Sequence, residues 1–154
     1  MDLNWEAIGA IGEIVGAFAV VITLLYLAIS IRQNSKSISI SALRDATALW
    51  NQWSEMLASS TDLAEIVARG NLEYTSLSES EALRYGAYIQ LFFDNAENYR
   101  ILVIEHNLDK DLETLVSITG RRISIPGYAS WWELNTADYN EDFVSWIEGI
   151  RPGS

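Results

Sequence analysis

The chain has 154 residues, 49% of them hydrophobic, a formal net charge of −11 and no cysteine. The missing cysteines exclude disulfides, thiolate metal sites and cysteine nucleophiles, and a surface of this sign repels phosphate backbones, which argues against nucleic-acid binding. The composition is too apolar for a disordered chain, and the length suits one membrane span followed by one small domain.

Charge and hydropathy divide the chain near residue 32. Residues 1–31 carry Asp2, Glu6 and Glu13 and no Lys or Arg, whereas residues 32–154 carry all ten basic and eighteen acidic residues. Residues 14–31, IVGAFAVVITLLYLAISI, are eighteen uncharged positions closed by Arg32. As a helix they extend about 27 Å, close to the ~30 Å of a bilayer's hydrocarbon core. A signal peptide would open on a basic flank and carry a shorter apolar region, although Ala28-Ile29-Ser30 is a passable small-x-small site. A core helix of a soluble domain is rarely apolar around its whole circumference for five turns. The segment therefore reads as a transmembrane helix over 7–32, with 1–6 as a short extracytoplasmic N-terminus and 33–154 as a helical domain. Arg32, Lys36 and Arg44 follow the span and no basic residue precedes it, so the positive-inside rule puts the N-terminus outside and the domain in the cytoplasm. Trp5 suits the outer interfacial belt.

Inside the span, Gly9, Gly12, Gly16, Ala19, Thr23, Tyr26 and Ser30 recur at alternating spacings of three and four. All but Tyr26 are small, and Gly12 and Gly16 form GxxxG. Small residues let helix backbones approach closely, and in lipid such packing replaces the missing hydrophobic drive. This face is a candidate helix–helix interface, accidental composition being the alternative. Glu13 lies about 40° around the helix from Gly9. It reads as a boundary or packing carboxylate, with an intramembrane proton or ion site as the other reading.

Beyond the span the periodicity is helical. A polar, hinge-like stretch over 33–39 leads into Leu43, Ala46, Trp50, Trp53 and Leu57, an amphipathic face that can continue the membrane helix. Ser60, Thr61 and Asp62 offer an N-cap for a short helix that Gly70 is expected to close. Ser78-x-x-Glu81 is a capping box opening the longest soluble helix, to about Asn107, with the seam Ala82, Tyr85, Ile89, Phe92, Ala96, Tyr99 and Val103. Asp109 can cap a fourth helix ending near Gly120 or one turn later, before Pro126-Gly127. A short helix with Trp131 and Trp132 follows, Asn140 caps a last one holding Phe143, Trp146 and Ile147, and Pro-Gly-Ser forms terminal coil. The fold class expected is all-α: one transmembrane helix and a cytoplasmic bundle of about four to five helices.

Candidates for chemistry are few. His106, the single histidine, lies near a helix C-terminus, where an imidazolium favours the dipole. No nucleophile-elbow sequence supports a Ser-His-Asp triad. Asp94, Glu97 and Glu105 lack the Glu-x-x-His pairs of a di-metal bundle, and neither GxGxxG nor GxxxxGK[ST] occurs. Arg121-Arg122 reads as a helix C-terminal dipole partner, with contact to anionic lipid as the alternative. Trp50, Trp53, Trp131 and Trp132 are candidates for a cytoplasmic packing or partner face, core packing competing with docking on the membrane or another subunit. No catalytic residue, metal or cofactor is expected.

Residues 8–34 follow the pattern I-G-A-x-G-E-x-x-G-A-x-A-V-x-x-T-L-x-Y-L-A-x-x-I-R-Q-N, and Pro126 to Trp132 supply a late P-G-x-x-x-W-W. In these motifs the chain resembles a bacterial family of small, uncharacterised single-span membrane proteins with a helical cytoplasmic tail. The resemblance implies an architecture and no activity, and makes Glu13 and the glycines part of the pattern. It also implies the bacterial inner (cytoplasmic) membrane as the location. The expectation is a non-enzymatic, oligomerising accessory or scaffolding subunit of a membrane complex. Its partners would be membrane lipid and either copies of itself or other membrane-protein subunits. The alternatives are an oligomeric pore or proton-linked transporter using Glu13, and a membrane-tethered ligand sensor whose pocket is lined by Tyr85, Tyr88 and Tyr99.

Overall fold

The computed structural model describes residues 5–151, and every element among them is helical. In chain order these are α1 (Trp5–Ala58), α2 (Thr61–Leu72), α3 (Glu79–Glu105), α4 (Asp109–Ile123), α5 (Pro126–Asn135) and α6 (Glu141–Ile150). Single 3₁₀ turns lie at Tyr74–Ser76 and Thr136–Asp138. Residues 1–4 of the expected N-terminal tail, and the Pro-Gly-Ser coil at 152–154, fall outside the described residues, as do the side chains of Trp5 and Lys36.

The chain divides into two compact units between Ser41 and Ala42. The polar stretch 33–39, read as hinge-like, is helical. It contains neither Gly nor Pro, and the Ser39 hydroxyl turns back to the Ser35 carbonyl of its own helix at 3.0 Å, so the serines are absorbed without a break.

The first unit is the N-terminal part of α1. Among the described residues it supplies one helix long and apolar enough to cross a membrane. Its large side chains are not covered: Ile14 is 57%, Phe18 66% and Leu25 59% exposed.

The second unit is built around α3. The Ser78 amide donates to the Glu81 carboxylate at 3.0 Å, closing the capping box that starts the helix. Tyr85, Ile89, Phe92, Ala96 and Val103 of the expected seam are buried, and Tyr88, Phe93 and Asn95 bury a second face. Burial on two faces makes α3 the centre of the unit, with α2, α4 and α5 packed on it and α6 packed on α4. α3 ends in a Schellman motif. Asn107 takes φ 53°, while the Leu108 amide donates to the Val103 carbonyl at 2.9 Å and the Asn107 amide to Ile104 at 3.2 Å. Asparagine tolerates this left-handed position better than most residues.

Two caps are as read and two signals resolve differently. The Ser60 hydroxyl accepts from the Leu63 amide at 3.2 Å, and Asn140 accepts from Phe143 at 2.8 Å. Gly70 does not close α2, which continues to Leu72. Gly70 is instead a buried packing position, where a β-carbon would lie 2.7 Å from the Tyr85 ring. Asp109 does not cap α4 either: Leu108 holds the cap position, and Asp109 and Asp111 occupy the first turn, where carboxylates meet the positive end of the helix dipole.

The core is an aromatic chain. Trp53 stacks on Tyr88 at 4.9 Å between centroids, Phe92 meets Tyr128 edge-on at 5.6 Å, and Phe93 meets Trp132 at 4.6 Å. Trp132, Tyr139 and Phe143 carry it onward to α6. Each such pair adds about 0.5–1.5 kcal/mol beyond area burial.

Candidate functional site

The small-residue face of the span is the first candidate. Gly9, Gly12, Gly16, Ala19 and Thr23 fall within an arc of about 80° on α1. A β-carbon on Gly9, Gly12 or Gly16 would meet nothing within 4 Å, and all five positions are exposed. The Thr23 hydroxyl donates to the Ala19 carbonyl of the same helix at 2.8 Å. Its donor is thus used locally, and the face presents small side chains. Glu13 is exposed at the edge of this face.

The four tryptophans do not form one face. Trp132 is fully buried, Trp131 is 5% and Trp53 7% exposed, and only Trp50 is partly open. Trp131 and Trp132 enter the core because α5 lies on α3: Trp131 stacks with Phe93 and rests on Gly86, where a β-carbon would be 3.0 Å from its indole nitrogen. The Trp132 indole donates to Glu148 at 3.0 Å. Tyr85 and Tyr88 are likewise buried in the core, so the tyrosine-lined pocket does not form; only Tyr99 reaches the surface. Burial pushes the Tyr88 hydroxyl up to about 12, the nearby Arg122 charge opposing it.

A different cleft opens between the end of α1 and the end of α4. It encloses about 540 Å³ and is walled by Trp50, Trp53, Phe92 and Ile118, with Arg121 and Arg122 on one side and Asn51 and Ser54 on the other. Ile118, Arg121 and Arg122 share a side of α4 through the helical spacing i, i+3, i+4, and Ile125 lies beyond that helix, at the N-cap of α5. The Arg122 guanidinium lies 5.1 Å from the Trp53 ring and 5.9 Å from the Tyr128 ring. The Tyr128 hydroxyl is buried and makes no hydrogen bond of regular geometry among the described residues; burial raises its pKa, and the charge and side-chain contact of Arg122 oppose the shift. Comparison with protein-family models, with curated proteins and with solved structures gives no match.

Of the remaining charged groups singled out in the sequence, Asp94 and Glu97 hold the start of α6. The Tyr139 hydroxyl donates to Asp94 at 3.1 Å, and the Asn140 amide donates to Glu97. Their role is therefore structural, and burial raises the Asp94 pKa against the bond from Tyr139. His106 is the C-cap of α3. No group of three or more His, Asp or Glu among the described residues is placed to hold a metal.

The sequence carries no direct sign of the α1–α4 cleft. Arg121 and Arg122 do lie in the last turn of α4, consistent with dipole pairing, but the stacking partner Trp53 belongs to a helix remote in sequence. A run of arginine at i and i+1 beside isoleucines at i−3 and i+4 was the only available signal, and it does not identify what it faces.

Proposed function

We propose that the protein is a membrane-anchored, non-enzymatic helical protein that assembles with copies of itself, or with another protein's span, through the face Gly9, Gly12, Gly16, Ala19 and Thr23. The observation supporting this reading is the exposure of that face together with the apolar residues around it. An 18-residue apolar helix needs a non-aqueous surrounding, and small residues on one side give close backbone approach to a second helix. In this reading Arg32 and Arg44 hold the 33–154 domain on the cytoplasmic side of a bacterial inner membrane. The domain then extends the assembly as an accessory or scaffolding subunit. The native mass of the detergent-solubilised particle, with co-purifying proteins identified, tests it. An oligomer or complex that Gly12→Leu with Gly16→Leu dissociates is expected; a strictly monomeric particle before substitution rejects the reading.

A further inference from the structure

We propose that the cleft between α1 and α4 binds a small organic anion, its charged head on Arg121 and Arg122 and its apolar body against Trp50, Ile118 and Ile125. The inference is independent of assembly through the span.

Charge selects the anion. Residues 32–154 carry eighteen carboxylates against ten basic groups, and Arg69, Arg84, Arg100 and Arg151 each hold an acidic partner. Arg121 and Arg122 form no ion pair among the described residues, and no carboxylate lines the cleft. Two adjacent guanidinium groups left without a counter-charge in so acidic a chain form a localised positive site. The C-terminal dipole of α4 favours their placement by about 0.3–1 kcal/mol each but leaves both charges un-neutralised. Guanidinium recognises carboxylate and phosphate oxygens through paired N–H donors. Arg122 is already positioned by stacking on Trp53, so little freedom is lost when it engages a ligand.

Shape selects the rest of the molecule. A volume of about 540 Å³ lies within the ~300–1,000 Å³ typical of small-molecule sites, which combine apolar walls with a few polar groups. Trp50, Ile118 and Ile125 are partly exposed and supply the apolar wall, while Trp53 and Phe92 are buried behind it. An aryl or single-tailed carboxylate or phosphate satisfies both ends. A free metabolite and a lipid headgroup share this chemistry.

The test titrates 1-naphthyl phosphate into the full chain held in phosphatidylcholine nanodiscs and follows the heat. Saturable binding at one site per chain is expected. Arg121→Gln and Arg122→Gln should each weaken it about tenfold, the scale of one charge-assisted hydrogen bond. Inorganic phosphate and neutral 1-naphthalenemethanol should each bind at least tenfold more weakly than the combined probe. Arg121 is exposed, so its variant should retain the wild-type melting temperature and report on binding even where Arg122→Gln disturbs Trp53. Adding phosphatidylglycerol to the discs separates the sources: competition supports a lipid headgroup, and an unchanged affinity supports a soluble anion. Gly12→Leu with Gly16→Leu should leave the affinity unchanged, which keeps this result distinct from the assembly. Absence of saturable binding up to millimolar probe, or equal affinity after Arg121→Gln, overturns the proposal.

Discussion

Gly127 lies against Gly70 with no room for a side chain: a β-carbon on Gly127 would sit 1.9 Å from the Gly70 carbonyl oxygen and 2.4 Å from the Tyr85 hydroxyl. The first turn of α5 can therefore lie directly on the α2 backbone. The obstruction cannot move aside easily, because one of the atoms is main chain and Tyr85 is fully buried, its hydroxyl donating to Asn71 at 3.0 Å.

Gly127→Ala is accordingly expected to cost about 3 kcal/mol, the upper range for overpacking a tight interior. Gly149 in α6 gives the opposite sign, since a β-carbon there meets nothing within 4 Å. Gly149→Ala should stabilise by about 0.5–1 kcal/mol by reducing the freedom of the unfolded chain. Denaturant unfolding of the two variants beside the wild type measures both. A neutral Gly127→Ala would mean that α2 and α5 do not make this contact.

Two carboxylates give pH dependences of opposite sign. The hydrogen bond from Arg69 first, and those from Ser78 next, hold Glu81 at about 2, below its ordinary 4.5. Its contribution is complete above about pH 4.5 and is lost as pH falls toward 2, because the unfolded state then binds more protons. Burial raises Asp94 above its ordinary value. The folded state therefore holds that proton more tightly, and stability declines as pH rises through the range just above the ordinary aspartate value. Melting temperatures from pH 2 to 7 should show Glu81→Gln with a flatter acid limb. Asp94→Asn, which keeps an acceptor for Tyr139, should be at least as stable as wild type at pH 7.

The parts of the fold that were legible in the sequence are those set by local period and local caps. The α3 seam could be read because apolar residues at helical spacing bury one face wherever the helix docks; Ser60, Asn140 and the Ser78–Glu81 box act within one turn. Gly70 departs from its local signal because a glycine after a helical run has two physical uses, a left-handed cap or room for a close neighbour, and only the position of the Tyr85 ring decides between them. The hinge reading of 33–39 gave weight to serine polarity, whereas the hydroxyl of Ser39 is satisfied within the helix. The Trp53–Arg122 pairing depends on how α1 and α4 meet, which no local pattern encodes. Helical spacing puts Tyr85 and Tyr88 on α3, but it does not show that both hydroxyl-bearing rings lie inside the core.

Trp132 separates packing from docking. It is fully buried, contacts Phe93, Tyr139 and Phe143, and donates to Glu148. Trp132→Ala should cost about 3–5 kcal/mol of stability, as for large aromatic truncations in a core. At temperatures where the variant remains folded, the mass of the native particle should be unchanged. A variant of wild-type stability with a smaller particle would instead place Trp132 at an interface.

Thr23 tests how the span associates. Its hydroxyl proton already goes to Ala19 of the same helix, and the assembly proposed above uses its small size without a hydrogen bond donated between helices. Thr23→Val keeps the shape and removes the hydroxyl, so the dissociation constant, followed by sedimentation in detergent, should change less than about twofold. Loss of an interhelical hydrogen bond would cost about 0.6 kcal/mol, or nearly threefold. Thr23→Leu adds bulk to the exposed face and should weaken association about tenfold or more. Equal weakening by valine and leucine would make the hydroxyl the interacting group and move the interface away from close backbone packing at Gly12 and Gly16.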